Sequence, residues 1–269
     1  MRSLLLISVS AGLLLATAEQ PLPPQLEGVG VDEKLGAQVN LDLTFTAENG
    51  YQAPLRQFFH KDRPVLLNLV YYTCPMLCNQ VLNGQVGAMR EVPWTPGQEY
   101  EVVTISIDPK DNFDVARKKK AAYLENYERP APGWHFLTGF QGNAGRLAGQ
   151  VGFRYTYDPV REQYAHAAAI MILTPEGRVS RYLYGVKFKS RDFRLALTEA
   201  SAGRTGSSFD KLLLFCFHYD PQARSYVLFA TNFMRAGGVL VVLILGLTLW
   251  RLFRDERRRS KAAWMGVGR

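Results

Sequence analysis

The sequence predicts an α/β fold, a mixed sheet flanked by helices, followed by one C-terminal transmembrane helix. Three observations carry that prediction. Short apolar runs at residues 65–72, 100–108 and 167–173 have the length of buried strands, and the segments between them repeat apolar residues at helical spacing. The run at 167–173 is joined by Pro175-Glu176-Gly177 to a second β-rich run at 179–184, an antiparallel hairpin that makes the sheet mixed rather than purely parallel. Residues 236–253 are apolar apart from Arg251, long enough for the roughly 17 to 25 residues that cross a hydrocarbon core.

The ends of the 269-residue chain divide it further. Arg2, the apolar run from Leu4 to Ala16 and the Ala16-Thr17-Ala18 ending read as a signal peptide over 1–18. Residues 19–38, with Pro21, Pro23 and Pro24, read as a flexible lead-in to a domain at 39–203. A membrane-proximal linker at 204–235 then precedes the transmembrane helix at 236–253 and a basic tail at 254–269. The positive-inside rule places that tail in the cytoplasm and the domain on the periplasmic, outer face of a bacterial-type inner membrane. The formal net charge of +8 lies largely in the tail, so topology accounts for it and nucleic-acid binding is not expected.

Within the domain, Val39, Leu41, Leu43 and Phe45 alternate with polar residues before the turn signal Asn49-Gly50, which predicts a hairpin. The 65–72 strand feeds a helix whose apolar positions are Leu77, Val81, Leu82, Val86 and Met89, and which stops at Val92-Pro93. The 100–108 strand leads to a helix through Phe113, Ala116, Tyr123 and Tyr127. Its run Arg117-Lys118-Lys119-Lys120 reads as a solvated face. A strand at 134–137, a helix at 143–151, a strand at 153–157, the terminal hairpin and a closing helix at 191–201 complete the order.

Chemistry is concentrated where the first buried strand meets its helix. Cys74 and Cys78 stand on the first turn, where unpaired N–H groups and the helix dipole favour a thiolate. Residues four apart share a helix face, so both sulfurs reach one ion or each other. A structural disulfide is the plain alternative, although such bridges gain most by closing longer loops. Two thiolates suit Cu(I), and two thiolates with an imidazole serve Cu(I) or Cu(II). His166, at the start of a central strand, is the third candidate ligand. Zinc is the rival metal, but structural zinc takes four protein ligands and three are evident. His60 and His135 read as structural. Cys216, the odd third cysteine, forms a Cys-x-His pair with His218 that marks a possible second site or a packed thiol.

Four stretches together resemble the Sco/SenC family: residues 70–78 ending in Cys74-Pro75-Met76-Leu77-Cys78, the Ser106-Ile107-Asp108-Pro109 strand end, Trp134 to Gly139, and His166 before its apolar strand. The resemblance covers residues 41–201, and the segment from Cys216 to Pro221 resembles a C-terminally anchored branch. It implies a thioredoxin-like fold, copper held by Cys74, Cys78 and His166, and a role in building the dinuclear copper site of cytochrome c oxidase subunit II. The chain departs from the family's pattern at Met76 and Asn79, where many members carry an acidic residue and Pro, and at Ala165, where many carry Asp. The expectation is a metallochaperone rather than an enzyme. The alternative is a thiol-disulfide oxidoreductase in which Cys74 and Cys78 are catalytic and reduce the cysteines of a copper-site protein.

Overall fold

Two consecutive parallel crossovers build the middle of the sheet. Strand β4 (Val65–Val70) leads through helix α1 (Leu77–Glu91) to β5 (Glu101–Ser106), and β5 leads through α2 (Phe113–Tyr127) to β6 (Trp134–Gly139). The pairing runs Val65 opposite Glu101 to Val70 opposite Ser106, then Val102 opposite Trp134 to Ser106 opposite Thr138. Every residue of β4 and β5 is buried, so both faces of these strands are covered, which is why they read as continuous apolar runs. The computed structural model describes residues 28–59, 62–74 and 77–201, the strands at 217–220 and 225–228, and helical residues 238–251 and 254.

Antiparallel strands close the sheet on both sides. Before β4 come β1 (Gly30–Val31), β2 (Thr44–Ala47), β3 (Gln52–Pro54) and a turn of 3-10 helix at Leu55–Phe58. After β6 come α3 (Asn143–Gln150), β7 (Phe153–Asp158), β8 (Gln163–His166), β9 (Ala169–Leu173), β10 (Val179–Tyr184) and α4 (Ser190–Ala200). The seven-stranded order is β10-β9-β4-β5-β6-β2-β3, with α1 packed beside α2 and α4. A β11–β12 hairpin (Phe217–Asp220 and Ser225–Leu228) forms a separate two-stranded unit.

Buried polar atoms inside the sheet are satisfied around Thr104. Its hydroxyl receives Asn68 Nδ2 and Trp134 Nε1, each at 3.1 Å, and its carbonyl receives the Tyr72 hydroxyl at 2.8 Å. Unmade, such bonds cost about 1–3 kcal/mol each. They fix how β4, β5 and β6 sit together, and Tyr72 belongs to the loop that carries Cys74.

Three features differ from the sequence reading. Residues 39–43 lie outside the strands of the first hairpin: Val39 N donates to Gly177 O at 2.9 Å, beside the β9–β10 turn, while the Leu41 and Leu43 carbonyls accept from Arg56 N at 2.8 Å and Leu55 N at 2.9 Å, in the 3-10 turn after β3. Residues 163–166 form a strand of their own, antiparallel to β7, with Tyr155 opposite His166, in a second sheet ordered β1-β7-β8. The run 117–120 is not wholly a solvated face. Lys120 pairs with Glu48, and Lys119 turns inward. Among the described residues no helix is long and apolar enough to cross a membrane. Of the 236–253 stretch, residues 238–251 are described. They are helical and exposed, with Leu243, Ile244, Leu247 and Trp250 among the uncovered apolar side chains.

Helix α1 approaches the loop after β10 through Gly84, where an added Cβ would overlap the Val186 carbonyl, its carbon being 2.8 Å away. One turn on, a Cβ at Gly87 would meet nothing within 4 Å. Alanine normally stabilises a helix interior over glycine by about 0.5–1 kcal/mol. Gly87→Ala is expected to gain that amount in urea unfolding, while Gly84→Ala loses about 1–3 kcal/mol through overpacking.

Candidate metal centre

Parallel strands deliver their carboxyl ends to one edge of the sheet, and in α/β folds that edge carries the site. Here β4 ends in the loop Tyr71 to Cys74, and β5 ends beside it in the loop Ile107 to Asp111. The Ile107 N–H donates to Val70 O at 2.7 Å. Asp111 ties the two loops together, its Oδ2 accepting the Tyr72 N–H at 2.7 Å and the Ser106 hydroxyl at 2.6 Å. Burial pushes the Asp111 carboxyl up from its ordinary range, and these two hydrogen bonds oppose the shift.

The same edge receives β9, which runs antiparallel to β4. His166 ends β8 three residues before β9 begins, so the reversal returns it to the strand end that Cys74 and Cys78 occupy. Cys78 Sγ and His166 Nε2 are 2.9 Å apart. His166 Nδ1 lies 2.9 Å from the Ala167 carbonyl, which can only accept, so Nδ1 carries the proton and Nε2 presents a lone pair. The ring packs against Phe153 at 5.8 Å and meets the Tyr71 ring edge-on at 6.3 Å.

Backbone donors meet both sulfurs. Cys78 N–H points to Cys74 Sγ and Tyr71 N–H to Cys78 Sγ, each at 3.4 Å. Cys74 thus caps the first turn of α1, and the two cysteines are not joined in a disulfide. Burial dominates their chemistry. It raises the Cys78 thiol far above its usual value and lowers the His166 imidazole, so the pair is a neutral thiol donating to a neutral imidazole. Cys74 and His166 are each 6% exposed and Cys78 is not exposed, so Cys74 and His166 form the side of the cluster nearer solvent.

The structure therefore brings together Cys74, Cys78 and His166. Among the described residues no three His, Cys, Asp or Glu side chains already converge on a metal-sized space. With metal–sulfur and metal–nitrogen bonds of about 2.3 and 2.0 Å and a trigonal or tetrahedral angle, sulfur and nitrogen stand about 3.5–3.7 Å apart. The Cys78–His166 contact is shorter because a proton occupies it. Donor types and placement fit a soft metal once that proton leaves and the pair opens by about 0.6–0.8 Å.

His135, in β6, stacks on Phe58 at 4.8 Å and lies 3.5 Å from the buried Glu101 carboxylate, at the opposite end of β5. His218 lies in β11 opposite Val227, whereas His60, Met76 and Cys216 fall outside the described residues. Asp111, Tyr71 and Lys119 were not singled out from the sequence. The signal for Asp111 was its position in the Asp-Pro-Lys-Asp loop directly after a buried strand.

A mixed sheet with a cysteine pair at the start of the helix after its central strand defines the thioredoxin-like class. Comparison narrows this: the family model described as SCO1/SenC matches residues 32–196, and the chain belongs to that family. No curated protein matches the sequence. Among solved structures, a protein of Aquifex aeolicus VF5 assigned provisionally to electron transfer is 22% identical, with a TM-score of 0.56 over 65% of this chain and 98% of that one. A SCO1/SenC family lipoprotein from Bacillus anthracis str. Ames is 13% identical, with a TM-score of 0.50 over 64% of this chain and 98% of its own. The copper-bound ScoI of Arabidopsis thaliana is 16% identical, with a TM-score of 0.48 over 63% and 98%. At these identities the likeness is one of fold.

The lowered His166 pKa has a consequence for stability. The unfolded imidazole protonates near pH 6.5 and the folded one only at lower pH, so in that window the unfolded chain binds more protons. Stability is complete above about pH 6.5, falls as pH drops from there toward the folded value, and levels off below it, with a limiting slope of about 1.4 kcal/mol per pH unit for one proton. Urea unfolding of the copper-free chain at pH 7.5 and pH 5.5 is expected to show this loss. His166→Asn, which cannot protonate there, should show a shallower one.

Proposed function

We propose that this chain is a membrane-anchored copper chaperone that carries copper on Cys74, Cys78 and His166 and helps mature the dinuclear copper site of cytochrome c oxidase subunit II. One observation carries the reading: an imidazole fixed through Nδ1 aims the Nε2 lone pair at a buried cysteine sulfur 2.9 Å away. An isolated thiolate is unfavourable so far from water, and a soft cation supplies the opposing charge. Two thiolates and one imidazole suit Cu(I) and Cu(II) alike. Loading releases protons, because the thiol hydrogens must leave.

The rest of the reading concerns placement. Residues 1–18 act as a signal peptide, the 39–203 domain lies on the periplasmic face of the inner membrane, 236–253 form the anchor and 254–269 the cytoplasmic tail. The exposed apolar helix at 238–251 supports an anchor, since a helix with no covered face is suited to lipid. Cys216 and His218 form a second, membrane-proximal copper position in the same scheme.

A thiol-disulfide oxidoreductase is the second reading. It is favoured by the contact between the Cys74 sulfur and the Cys78 N–H, which places the two cysteines together in reduced form. Both readings need Cys74 and Cys78, but only copper binding needs His166 as a ligand.

Metal analysis of the copper-loaded chain is expected to give one copper at the Cys74, Cys78 and His166 site. His166→Ala should weaken Cu(II) binding by more than about 100-fold, beyond what loss of an outer-shell partner causes. Unchanged copper content and spectra in that variant would remove His166 from the ligand set. Reduction of a disulfide substrate by His166→Ala at the wild-type rate, without copper, would favour the oxidoreductase instead. Deleting residues 236–269 is expected to move the protein from the membrane fraction to the soluble one.

A further inference from the structure

Lys119 belongs to a run of four basic residues, yet its side chain turns toward the cysteine loop. Its Nζ donates to the Tyr72 carbonyl at 2.9 Å and to Asn79 Oδ1 at 2.6 Å. Asn79 in turn donates from Nδ2 to the Cys74 carbonyl at 3.1 Å, and its Oδ1 also receives the Tyr123 hydroxyl at 3.4 Å. These contacts bracket the cysteine pair, since Tyr72 stands two residues before Cys74 and Asn79 directly follows Cys78.

Both of these hydrogen-bond partners of the ammonium are neutral. The Asp111 carboxylate acts on it from a distance while holding the Tyr72 N–H and the Ser106 hydroxyl. Burial favours the neutral amine, and negative charge on Cys78 and Cys74 most strongly opposes that loss. Reciprocally, the Lys119 charge eases ionisation of Cys78.

We propose that Lys119 is the countercharge of the cysteine pair and that it makes the site prefer the +1 state of its copper cargo. The second half rests on the copper reading above. Two thiolates with Cu(I) carry one net negative charge and two thiolates with Cu(II) carry none, so the Lys119 ammonium attracts the first set and not the second. The Asp111 carboxylate is the same in both states, and the lysine therefore favours the reduced ion. Lys119 is a positioning and electrostatic residue and need not touch the ion.

The test compares the full chain with Lys119→Gln, which keeps a donor for the Tyr72 carbonyl, and with Lys119→Arg, which keeps the charge. Lys119→Met, which keeps the aliphatic stem, stands in if the glutamine variant does not fold. In copper-loaded protein the ratio of Cu(I) to Cu(II) affinity should fall at least about tenfold in Lys119→Gln, a drop of about 59 mV in midpoint potential, and recover in Lys119→Arg.

A glutamine variant that loses thermal stability but keeps the affinity ratio, or an arginine variant that behaves like glutamine, would overturn the proposal while leaving the copper reading intact. So would Asn79→Ala if it moved the ratio as far, because that change removes the tether and leaves the charge. A wild-type chain that takes up no copper would sink the copper reading and this inference with it.

Discussion

A hydrogen bond between a buried thiol and a buried imidazole is the contact on which the rest of the domain depends. Neither partner can supply it alone, because Cys78 opens α1 and His166 closes β8. The sheet order satisfies both requirements. Strand β4 carries the cysteine loop to the edge, and β9 returns beside β4 in the opposite sense, so that the residues before β9 arrive at the same edge. The loop after β5 completes the frame through Asp111, and Thr104 anchors Tyr72 from within the sheet. A fold that paired β9 with another strand would keep the cysteines and lose the imidazole.

Burial sets the electrostatics of the whole site in one direction. It raises the thiol of Cys78, the carboxyl of Asp111 and the hydroxyl of Tyr71, lowers the imidazole of His166 and the ammonium of Lys119, and pushes Tyr123 up to about 12. Each group is urged toward its neutral form, and every shift except that of Tyr123 is partly opposed by a neighbour of complementary charge or by a hydrogen bond. Charge in such a site is favourable when it appears in balanced sets, such as a cation arriving as protons leave.

Much of this was legible in the sequence because it depends on local pattern. Strands β4, β5 and β9 are buried on both faces and read as unbroken apolar runs, and α1 shows its buried face at helical spacing. The cysteine pair stood out by type and spacing, and His166 by its place before an apolar strand. What stayed hidden depends on partners distant in the chain. Strand β8 contains Gln163 and Ala165, which dilute the apolar signal, and its pairing is settled by β7 across an Asx turn at Asp158. Lys119 looked like its basic neighbours, because what turns it inward is Tyr72 and Asn79, at least 40 residues away. The alternation at residues 39–43 was real, but its backbone is divided between the turn before β10, which holds Val39, and the 3-10 turn after β3, which holds Leu41 and Leu43.

The contact between Cys78 and His166 spans 88 residues of sequence. Contacts of that separation close late in folding, after the local helices and the adjacent parallel strands have formed. On a chain that emerges from its amino end, Cys74 and Cys78 exist as a pair before β8 and β9 have been made. During that interval they have helix-end donors but no imidazole, and they are as open to an oxidant as any exposed dithiol. The order in which the chain appears thus creates a period of vulnerability that the finished domain no longer has, and it ends when β9 docks against β4.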